Sequence, residues 1–360
     1  SLLAGASAAA PPQGRCEAAA AAASAPSLLQ LGSSALGPRL HVLTFTGPGK
    51  YERFAIKTWK RESRFLGPRD NYTNVCEVGC GNLSVGGRRL THMLPMTDRE
   101  AFPSGACVSQ ARPCTGYDRA QMKLPWGLVH EWRARRARGD AMPRWWFFRD
   151  DDTYFRADRL MDLVTGIDPM VERVIVGRKS SQPYHAEGWD CWHVKAPTHW
   201  HGGTGLLLSA ALVDALVGQH AERWLKHEEE QIRLGCSFYD QHISTVLSWV
   251  RGVKEISNPV LFNSGFDGAD MANGCSGIDA KTVTYHMETA RQVLGDEAAV
   301  QRVSECFARN LAEEGQKKAA RGGGGAPRAP PGPARRSSAR SGRLRAPALA
   351  LAAVAVGMHA

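Results

Sequence analysis

Short apolar runs alternate with stretches of helical periodicity along the middle of the chain. The runs Leu40-His-Val-Leu-Thr-Phe-Thr46 and Trp145-Trp-Phe-Phe148 are rich in β-branched or aromatic residues and predict buried strands. Altogether the pattern predicts strands over residues 40–46, 145–148, 171–177 and 283–286, and helices over 51–62, 124–138, 157–164, 206–217 and 240–250. Such alternation is typical of an α/β layer with a mainly parallel sheet.

The two ends of the chain differ from this central part. Residues 1–38 are rich in Ala, Ser, Gly and Pro and predict a low-complexity stem or linker. Residues 311–360 are basic and then Ala-rich, and predict a disordered tail. One globular domain is therefore expected over residues 39–310. Because the chain begins with Ser1, we expect a fragment or a processed product whose membrane anchor lies outside it.

The positive charge is unevenly distributed. The 360 residues carry a net charge of +10, but nine Lys and Arg residues and no acid lie between residues 316 and 345. The rest of the chain is therefore nearly neutral, with about one net positive charge. A nucleic-acid-binding domain is not predicted, and the basic tail is expected to be solvated or to lie near anionic membrane.

Nine cysteines include two close pairs, Cys76 with Cys80 and Cys107 with Cys114, in a Gly- and Pro-rich stretch that reads as mostly irregular. Such pairs fit either a zinc site or disulfides. Two N-glycosylation sequons, at Asn71 and Asn82, favour disulfides and the secretory pathway. The odd number leaves at least one thiol unpaired or paired outside the chain.

Three consecutive carboxylates, Asp150, Asp151 and Asp152, follow directly after the aromatic strand. Adjacent carboxylates repel one another, and at a strand end inside a fold they need a cation. Carboxylate oxygens suit Mg²⁺ or Mn²⁺, which also bind phosphate oxygens. The carboxyl edge of a parallel sheet is where such folds bind ligands. The alternative is a solvated acidic turn.

Three further elements support a ligand site at this edge. The turn Gly202-Gly-Thr-Gly205 lets the backbone approach a ligand closely, although it also fits an ordinary loop. Asp240 begins an amphipathic helix, where it serves as an N-cap, as a catalytic base or as both. His286 ends a short strand and is either a structural residue or a third metal ligand.

The order of these motifs resembles the fringe and β1,3-galactosyltransferase type of glycosyltransferase family. The resemblance is carried, over residues 40–290, by five segments: Val42-Leu-Thr-Phe-Thr46 with Tyr51-Glu-Arg-Phe-Ala-Ile-Lys-Thr-Trp59, Trp146-Phe-Phe-Arg-Asp-Asp-Asp-Thr-Tyr154, Gly202-Gly-Thr-Gly-Leu-Leu-Leu-Ser209, Tyr239-Asp240 and Thr284-Tyr-His286. Tyr239 replaces the first acid of the family's acidic pair, and the Gly expected after it is absent, which weakens the assignment of Asp240.

The resemblance implies a GT-A fold, in which a Rossmann-like nucleotide-binding half and an acceptor-binding half share one mixed sheet flanked by helices. It implies a UDP-sugar donor, a glycan or glycoprotein acceptor, Mn²⁺ (or Mg²⁺) and inversion at the anomeric carbon. It also implies a type II membrane protein in the lumen of the Golgi or the endoplasmic reticulum.

Residue roles follow from this resemblance as hypotheses. Asp150, Asp152 and His286 are expected to hold the metal ion, and Asp240 to act as the base. The expected nucleotide and donor contacts are Thr44, Thr46, Arg53, Asp150, Asp151, Gly202, Gly203 and Gly205. Trp189, Trp192 and Trp200 are candidates for stacking on sugar rings, although packing in the core is favoured for at least two of them.

Two other classes of protein remain as alternatives. A GT-A-like chaperone or glycan-binding protein would lose the triplet or the base, whereas this chain has both. A metal-dependent phosphohydrolase would need further acidic or His ligands in compact motifs, which the sequence does not offer.

Overall fold

The computed structural model describes residues 37–47, 50–77, 84–85, 88–89, 92–105, 114–180, 199–236, 239–263, 275 and 277–322. The strands of these residues are β1 (Leu40–Phe45), β2 (Asn71–Glu77), β3 (Ser84–Val85), β4 (Arg88–Arg89), β5 (His92–Met96), β6 (Trp145–Arg149), β7 (Thr153–Phe155), β8 (Val174–Gly177), β9 (Lys179–Ser180), β10 (His199–Trp200), β11 (Leu206–Ser209), β12 (Lys254–Ser257), β13 (Phe262–Asn263) and β14 (Thr284–His286). The α-helices are α1 (Lys50–Glu62), α2 (Asp98–Ala101), α3 (Gly116–Arg138), α4 (Ala157–Leu163), α5 (Ala210–Arg233), α6 (Tyr239–Leu247), α7 (Glu288–Leu294) and α8 (Asp296–Gly322).

The main sheet has seven strands in the order β12-β8-β11-β6-β1-β2-β5. β11 runs antiparallel to both of its neighbours, and the other pairs are parallel. The predicted α/β class and the mixed sheet flanked by helices are therefore confirmed. The Cys-rich stretch, which the sequence predicts to be mostly irregular, contributes β2 and β5, which extend the sheet beyond β1.

Both faces of this sheet are buried, as the continuous apolar runs predict. Successive side chains of a strand point to opposite faces, and β6 shows this directly. Trp146 and Phe148 pack in the core that includes residues of α3, α5 and α6. Trp145 and Phe147 pack in the core on the other face, with residues of α1 and α4.

The predicted helix over residues 206–217 is wrong in its first turn. Leu206–Ser209 forms β11, which fills the position between β6 and β8, and α5 begins only at Ala210. Ser209 is the N-cap, and its hydroxyl accepts a hydrogen bond from the N–H of Leu212. Short apolar runs are ambiguous between helix and strand, and pairing with two strands decided the outcome here.

A second, three-stranded sheet has the order β13-β14-β7 and places His286 beside the acidic triplet. β7 begins immediately after the triplet, and β14 pairs with it in antiparallel register, with His286 opposite Thr153. The backbone N–H of Met287 also donates to the carbonyl oxygen of Asp152, at 2.9 Å. A residue distant in sequence is thus fixed next to Asp152 by backbone pairing alone.

Helix α8 continues to Gly322, so the predicted domain boundary at residue 310 falls inside it. The segment that follows residue 310 contains Leu, Ala, Glu, Gln and Lys, which favour helix, and this preference extends the helix into the predicted tail. By its internal contacts the chain divides into residues 1–313 and 314–360. The predicted stem and most of the predicted tail lie outside the described residues.

The cysteines that are described support disulfides over a zinc site. Cys275 is bonded to Cys306, and Cys76, Cys114 and Cys236 are also disulfide-bonded. Asn71 of the first sequon is the first residue of β2, and Asn82 of the second lies outside the described residues.

Among the helices that the structure describes, none combines the length and the hydrophobicity that crossing a bilayer requires.

Candidate active site

A cavity of about 690 Å³ lies at the carboxyl ends of β1 and β6. The acidic triplet, the end of β14 and the first turns of α3, α6 and α7 all contribute to its wall. Its described lining residues include Asp150, Asp151, Asp152, Gly203, Tyr239, Asp240, His286 and Arg291. The structure thus brings together the triplet, the candidate base and the late histidine, which lie in separate motifs of the sequence.

Asp152 is compensated by two cationic side chains. Its Oδ1 lies 3.1 Å from Nε2 of His286, and its Oδ2 accepts a hydrogen bond from Arg291, at 2.9 Å. Burial alone would raise the pKa of Asp152, but His286 and Arg291 outweigh burial and lower this pKa to about 2. Burial would likewise lower the pKa of His286, but Asp152 outweighs it and raises that pKa to about 9.

Asp150 is compensated less fully, by the charge of His286 and by a hydrogen bond from Tyr239. Burial and the neighbouring charge of Asp152 raise its pKa to about 7. Its Oδ1 accepts a hydrogen bond from the hydroxyl of Tyr239, at 3.1 Å. The residue that departs from the family's acidic pair therefore supplies a neutral donor to the triplet, where an acid would have added another negative charge.

Asp150, Asp152 and His286 form a group that fits a divalent cation. One potential ligand atom from each residue lies within 4.8 Å of the other two. Two carboxylates and an imidazole are a donor set suited to Mn²⁺ or Mg²⁺. Burial, followed by the neighbouring charge of Asp152, raises the pKa of Asp150, and a bound cation would favour its charged form.

Asp240 is held by the glycine-rich turn. Its Oδ2 accepts a hydrogen bond from the backbone N–H of Gly202, at 3.2 Å, and burial raises its pKa. A raised pKa favours proton acceptance near neutral pH, which is what a general base requires. Asp240 also stands in the first turn of α6.

Each predicted glycine is needed for a close approach of the backbone. A side chain at Gly202 would collide with the hydroxyl of Tyr239, and a Cβ at Gly203 would lie 2.8 Å from Cε1 of His286. Gly205 has φ +83°, in the left-handed region that favours glycine. The carbonyl of Gly203 also accepts a hydrogen bond from Thr153, at 2.7 Å. The turn therefore joins α6, β14 and β7 around the cavity.

Two of the predicted nucleotide contacts are used inside the fold. Thr44 donates to the carbonyl of Arg149, at 3.2 Å, and Thr46 accepts through its side chain from Asn74, at 3.1 Å. Neither is among the described residues that line the cavity, whereas Asp151 is. Arg53 lies on α1, and its side chain is outside the described residues. Arg53 therefore stays a prediction.

The tryptophans divide between core and undescribed positions. Trp200 is completely buried in the main core, as the packing interpretation expected. Trp189 and Trp192 lie outside the described residues.

Sequence reasoning missed several residues of this cavity. Arg291 lies on α7 and contacts both Asp152 and Asp296. Lys123 of α3 is buried, lines the cavity and donates to the carbonyl of Thr46, at 2.7 Å. His199 and His201 lie on either side of Trp200, with ring centroids 4.8 Å apart.

A model of the Fringe-like family matches residues 114–301, just over half of the 360-residue chain. None of the curated protein sequences compared with the chain matches it.

Among solved structures, the galactosyltransferase LgtC in complex with donor and acceptor sugar analogues is 14% identical, over 74% of this chain and 95% of that chain, with a TM-score of 0.47. The glycosyltransferase GlyE of Streptococcus pneumoniae TIGR4 is 9% identical, over 78% of this chain and 64% of that one, with a TM-score of 0.41. Mouse xyloside xylosyltransferase 1 is 11% identical, over 69% of this chain and 97% of its own, with a TM-score of 0.39.

Proposed function

The chain belongs to the Fringe-like family of glycosyltransferases, and we propose that it transfers a hexose or an N-acetylhexosamine from a UDP-sugar to a hydroxyl group of a glycan or glycoprotein. The proposed reaction is Mn²⁺-dependent, inverts the anomeric carbon and forms a β1,3-type linkage. The observation that carries the proposal is the convergence of Asp150, Asp152, His286 and Asp240 on one cavity.

Asp150, Asp152 and His286 would hold the metal ion. When bound, the ion supplies a positive charge that neutralises the departing UDP. Arg291 donates to Oδ2 of Asp152 at 2.9 Å, and Nε2 of His286 lies 3.1 Å from Oδ1, so an ion held by these residues would take the place of the proton on His286. The neutral hydroxyl of Tyr239 orients the carboxylate of Asp150 without adding charge.

Asp240 is the proposed general base. Its Oδ2 is oriented by the N–H of Gly202, and the carboxylate lines the cavity. It would accept the proton of the acceptor hydroxyl while that oxygen attacks the anomeric carbon. A single displacement of this kind converts an α-linked UDP-sugar into a β-glycoside.

The secretory pathway is the proposed location, in the lumen of the Golgi or the endoplasmic reticulum. Disulfides persist in oxidising compartments, and the described disulfide between Cys275 and Cys306 supports this assignment. The two sequons in the chain agree with it. A membrane anchor, as the resemblance to the family implies, remains part of the proposal.

The test is a transfer assay with UDP-Gal, UDP-GlcNAc, UDP-Glc and UDP-GalNAc in the presence of Mn²⁺, on wild type, Asp152→Asn and Asp240→Asn. We expect Asp152→Asn to lower turnover by about 10³-fold, because a ligand of the metal is lost. We expect Asp240→Asn to lower turnover by about 10²–10⁴-fold while leaving UDP binding unchanged.

Three outcomes would contradict these roles. Turnover retained by Asp152→Asn would refute the metal assignment. Loss of UDP binding in Asp240→Asn would mean that Asp240 supports the metal site or the fold and is not the base. A wild-type protein that binds sugars but transfers none of the four donors would be a glycan-binding protein or a chaperone.

A further inference from the structure

One aromatic side chain of the cavity has no role in the reaction described above. Among the described residues, the large hydrophobic side chains that are exposed are Tyr117, Met170, Val171, Leu234 and Val260. Tyr117 is 44% exposed and is the member of this group that lines the cavity. Exposing an aromatic side chain forgoes the gain from burying it, so its presence in the wall of this cavity points to a ligand.

The position of Tyr117 places it on the same side as the candidate base. Tyr117 and Gln121 are four residues apart on α3 and therefore lie on the same face of that helix. Oε1 of Gln121 accepts a hydrogen bond from the backbone N–H of Tyr239, at 3.1 Å, and Asp240 is the next residue. A ligand on the ring of Tyr117 thus lies about one helical turn from the hydrogen bond between Gln121 and Tyr239, which anchors the start of α6.

The first turn of α3 is held in place. Thr115 is its N-cap and forms a capping box with Asp118, in which the N–H of Thr115 donates to Oδ2 of Asp118 at 2.7 Å. Residue 117 lies between these two residues. The backbone that carries the tyrosine is therefore fixed before any ligand arrives, which reduces the entropic cost of binding.

The cavity around Tyr117 also provides hydrogen-bonding groups. His199, Asp240 and Gln241 line it, and His199 and Gln241 are at least nine-tenths buried. An aromatic face bordered by buried polar groups matches a sugar ring, which has an apolar C–H face and a rim of hydroxyl groups.

We propose that Tyr117 is a stacking platform for the acceptor, and that the acceptor bound in this cavity is a sugar ring and not a Ser or Thr side chain of a peptide. This proposal rests on the proposed function, since it assigns the acceptor class of the same site. Tyr117 is accordingly a residue that determines acceptor specificity, and it has no part in the metal cluster or in proton transfer.

The experiment measures binding of sugars without a donor, by ligand-observed NMR in the metal-free protein. The probes are methyl β-D-galactopyranoside and the methyl β-glycoside of N-acetylglucosamine, with UDP and Mg²⁺ in a parallel titration. The variants are Tyr117→Ala, Tyr117→Phe and Met170→Ala, a control whose side chain is 49% exposed and is not among the described residues of the cavity.

We expect at least one of the two glycosides to bind the wild type, and Tyr117→Ala to weaken that binding about tenfold, which corresponds to about 1.4 kcal/mol. Tyr117→Phe keeps the ring and should bind within about twofold of wild type, as should Met170→Ala. Affinity for UDP should be the same in all four proteins. Acceptor KM in the transfer assay should follow the same order, with donor KM unchanged.

Three results would overturn the proposal. The first is wild-type sugar binding that Tyr117→Ala leaves intact. The second is weaker UDP binding in Tyr117→Ala, which would assign the ring to the nucleobase. The third is absence of glycoside binding in the wild type. Failure of the proposed function looks different, because sugar binding would still depend on Tyr117 while no UDP-sugar was turned over.

Discussion

Two buried charge centres lie next to each other at the end of β6, and their surroundings differ. The first is Arg149, which is completely buried and forms an ion pair with Glu62, also completely buried, at 3.0 Å. The guanidinium also donates to the hydroxyl of Tyr72 and to the carbonyl of Thr153. The second centre begins at the very next residue, with Asp150, and opens into the cavity.

The two centres differ in their balance of acids and cations, although burial raises the pKa of Glu62 in the closed centre to about 7 as well. One cation and one acid face each other in the first. In the second, three consecutive carboxylates share the cationic side chains of His286 and Arg291, which are both directed at Asp152. Burial and the neighbouring carboxylates raise the pKa of Asp150 to about 7 and that of Asp151 in the same direction.

This difference indicates how one strand end serves both stability and function. Removing either partner of a buried charge pair that the fold completes is strongly destabilising, because it leaves a buried charge alone. A cluster that is left with excess charge lowers the free energy of unfolding, and binding of a cation raises it again. The two centres should therefore respond differently to mutation, and the predictions below test that difference.

The largest effect is expected at the closed centre. Arg149→Met leaves Glu62 buried without its cation, so we expect a loss of about 3–5 kcal/mol in the free energy of unfolding, measured by urea denaturation. Adding Glu62→Gln to this variant removes the unpaired charge and keeps an acceptor for the N–H of Phe155, which now donates to Glu62 at 3.0 Å. The double variant should recover a large part of the loss.

The matched control is Arg136→Met. Arg136 pairs with Asp214 at 3.0 Å, but its side chain is 51% exposed. Exposed pairs contribute about 0–1 kcal/mol, so this variant should be nearly neutral. If Arg149→Met cost no more than Arg136→Met, the closed centre would not be what stabilises this edge of the sheet.

Much of the fold could be predicted because the sequence signals were local. The strands around Leu43 and Trp146 consist of continuous apolar residues, which only a sheet covered on both faces can bury. The start of α5 could not be predicted, because the short apolar run Leu206–Ser209 fits a helix and a strand equally well. Its state depends on pairing with β6 and β8, which the local sequence does not contain.

The candidate site was predictable to the extent that it consists of motifs. The triplet, the glycine turn, Asp240 and His286 were each visible in the sequence, and their resemblance to a family placed them at one site. The contacts of Arg291 and Gln121 were not visible, since they join residues 139 and 118 positions apart. The nucleotide contacts of Thr44 and Thr46 stay predictions from the resemblance, and in the structure their hydroxyls form hydrogen bonds to Arg149 and Asn74 of neighbouring strands.

A smaller effect, confined to the open centre, is expected from Gly203→Ala. A Cβ at residue 203 would lie 2.8–3.0 Å from three ring atoms of His286, closer than such contacts normally are, so the imidazole must shift. Since His286 is a proposed metal ligand, we expect activity at limiting Mn²⁺ to fall about tenfold, as for changes that reorient a ligand. Saturating Mn²⁺ should restore part of it, and the stability should change by about 1 kcal/mol or less.

Gly218→Ala is the control for that substitution. Its nearest neighbours would be atoms of Trp132 at 3.7 and 3.8 Å, which is ordinary contact, and the residue lies inside α5. Alanine is preferred over glycine there, so the variant should be as stable as wild type or more stable. Equal Mn²⁺ dependence in the two variants would show that Gly203 does not position His286.

The smallest expected effect concerns pH and the wall of the open centre. Burial, with His199 and Arg178 nearby, lowers the pKa of His201 from 6.5 to about 4. Between these values the unfolded chain binds a proton that the native protein does not, so His201 contributes stability above about pH 6.5 that is lost as the pH falls toward 4. His201→Gln removes this loss, and its stability relative to wild type should rise on the order of 1 kcal/mol between neutral pH and about pH 5. Urea denaturation at the two pH values measures the difference, and an NMR titration reports the pKa directly. A pKa of His201 near 6.5 would show that its imidazole is well solvated. The cavity wall would then carry a further positive charge at low pH, and His201 would no longer differ from the cationic side chains that compensate Asp152.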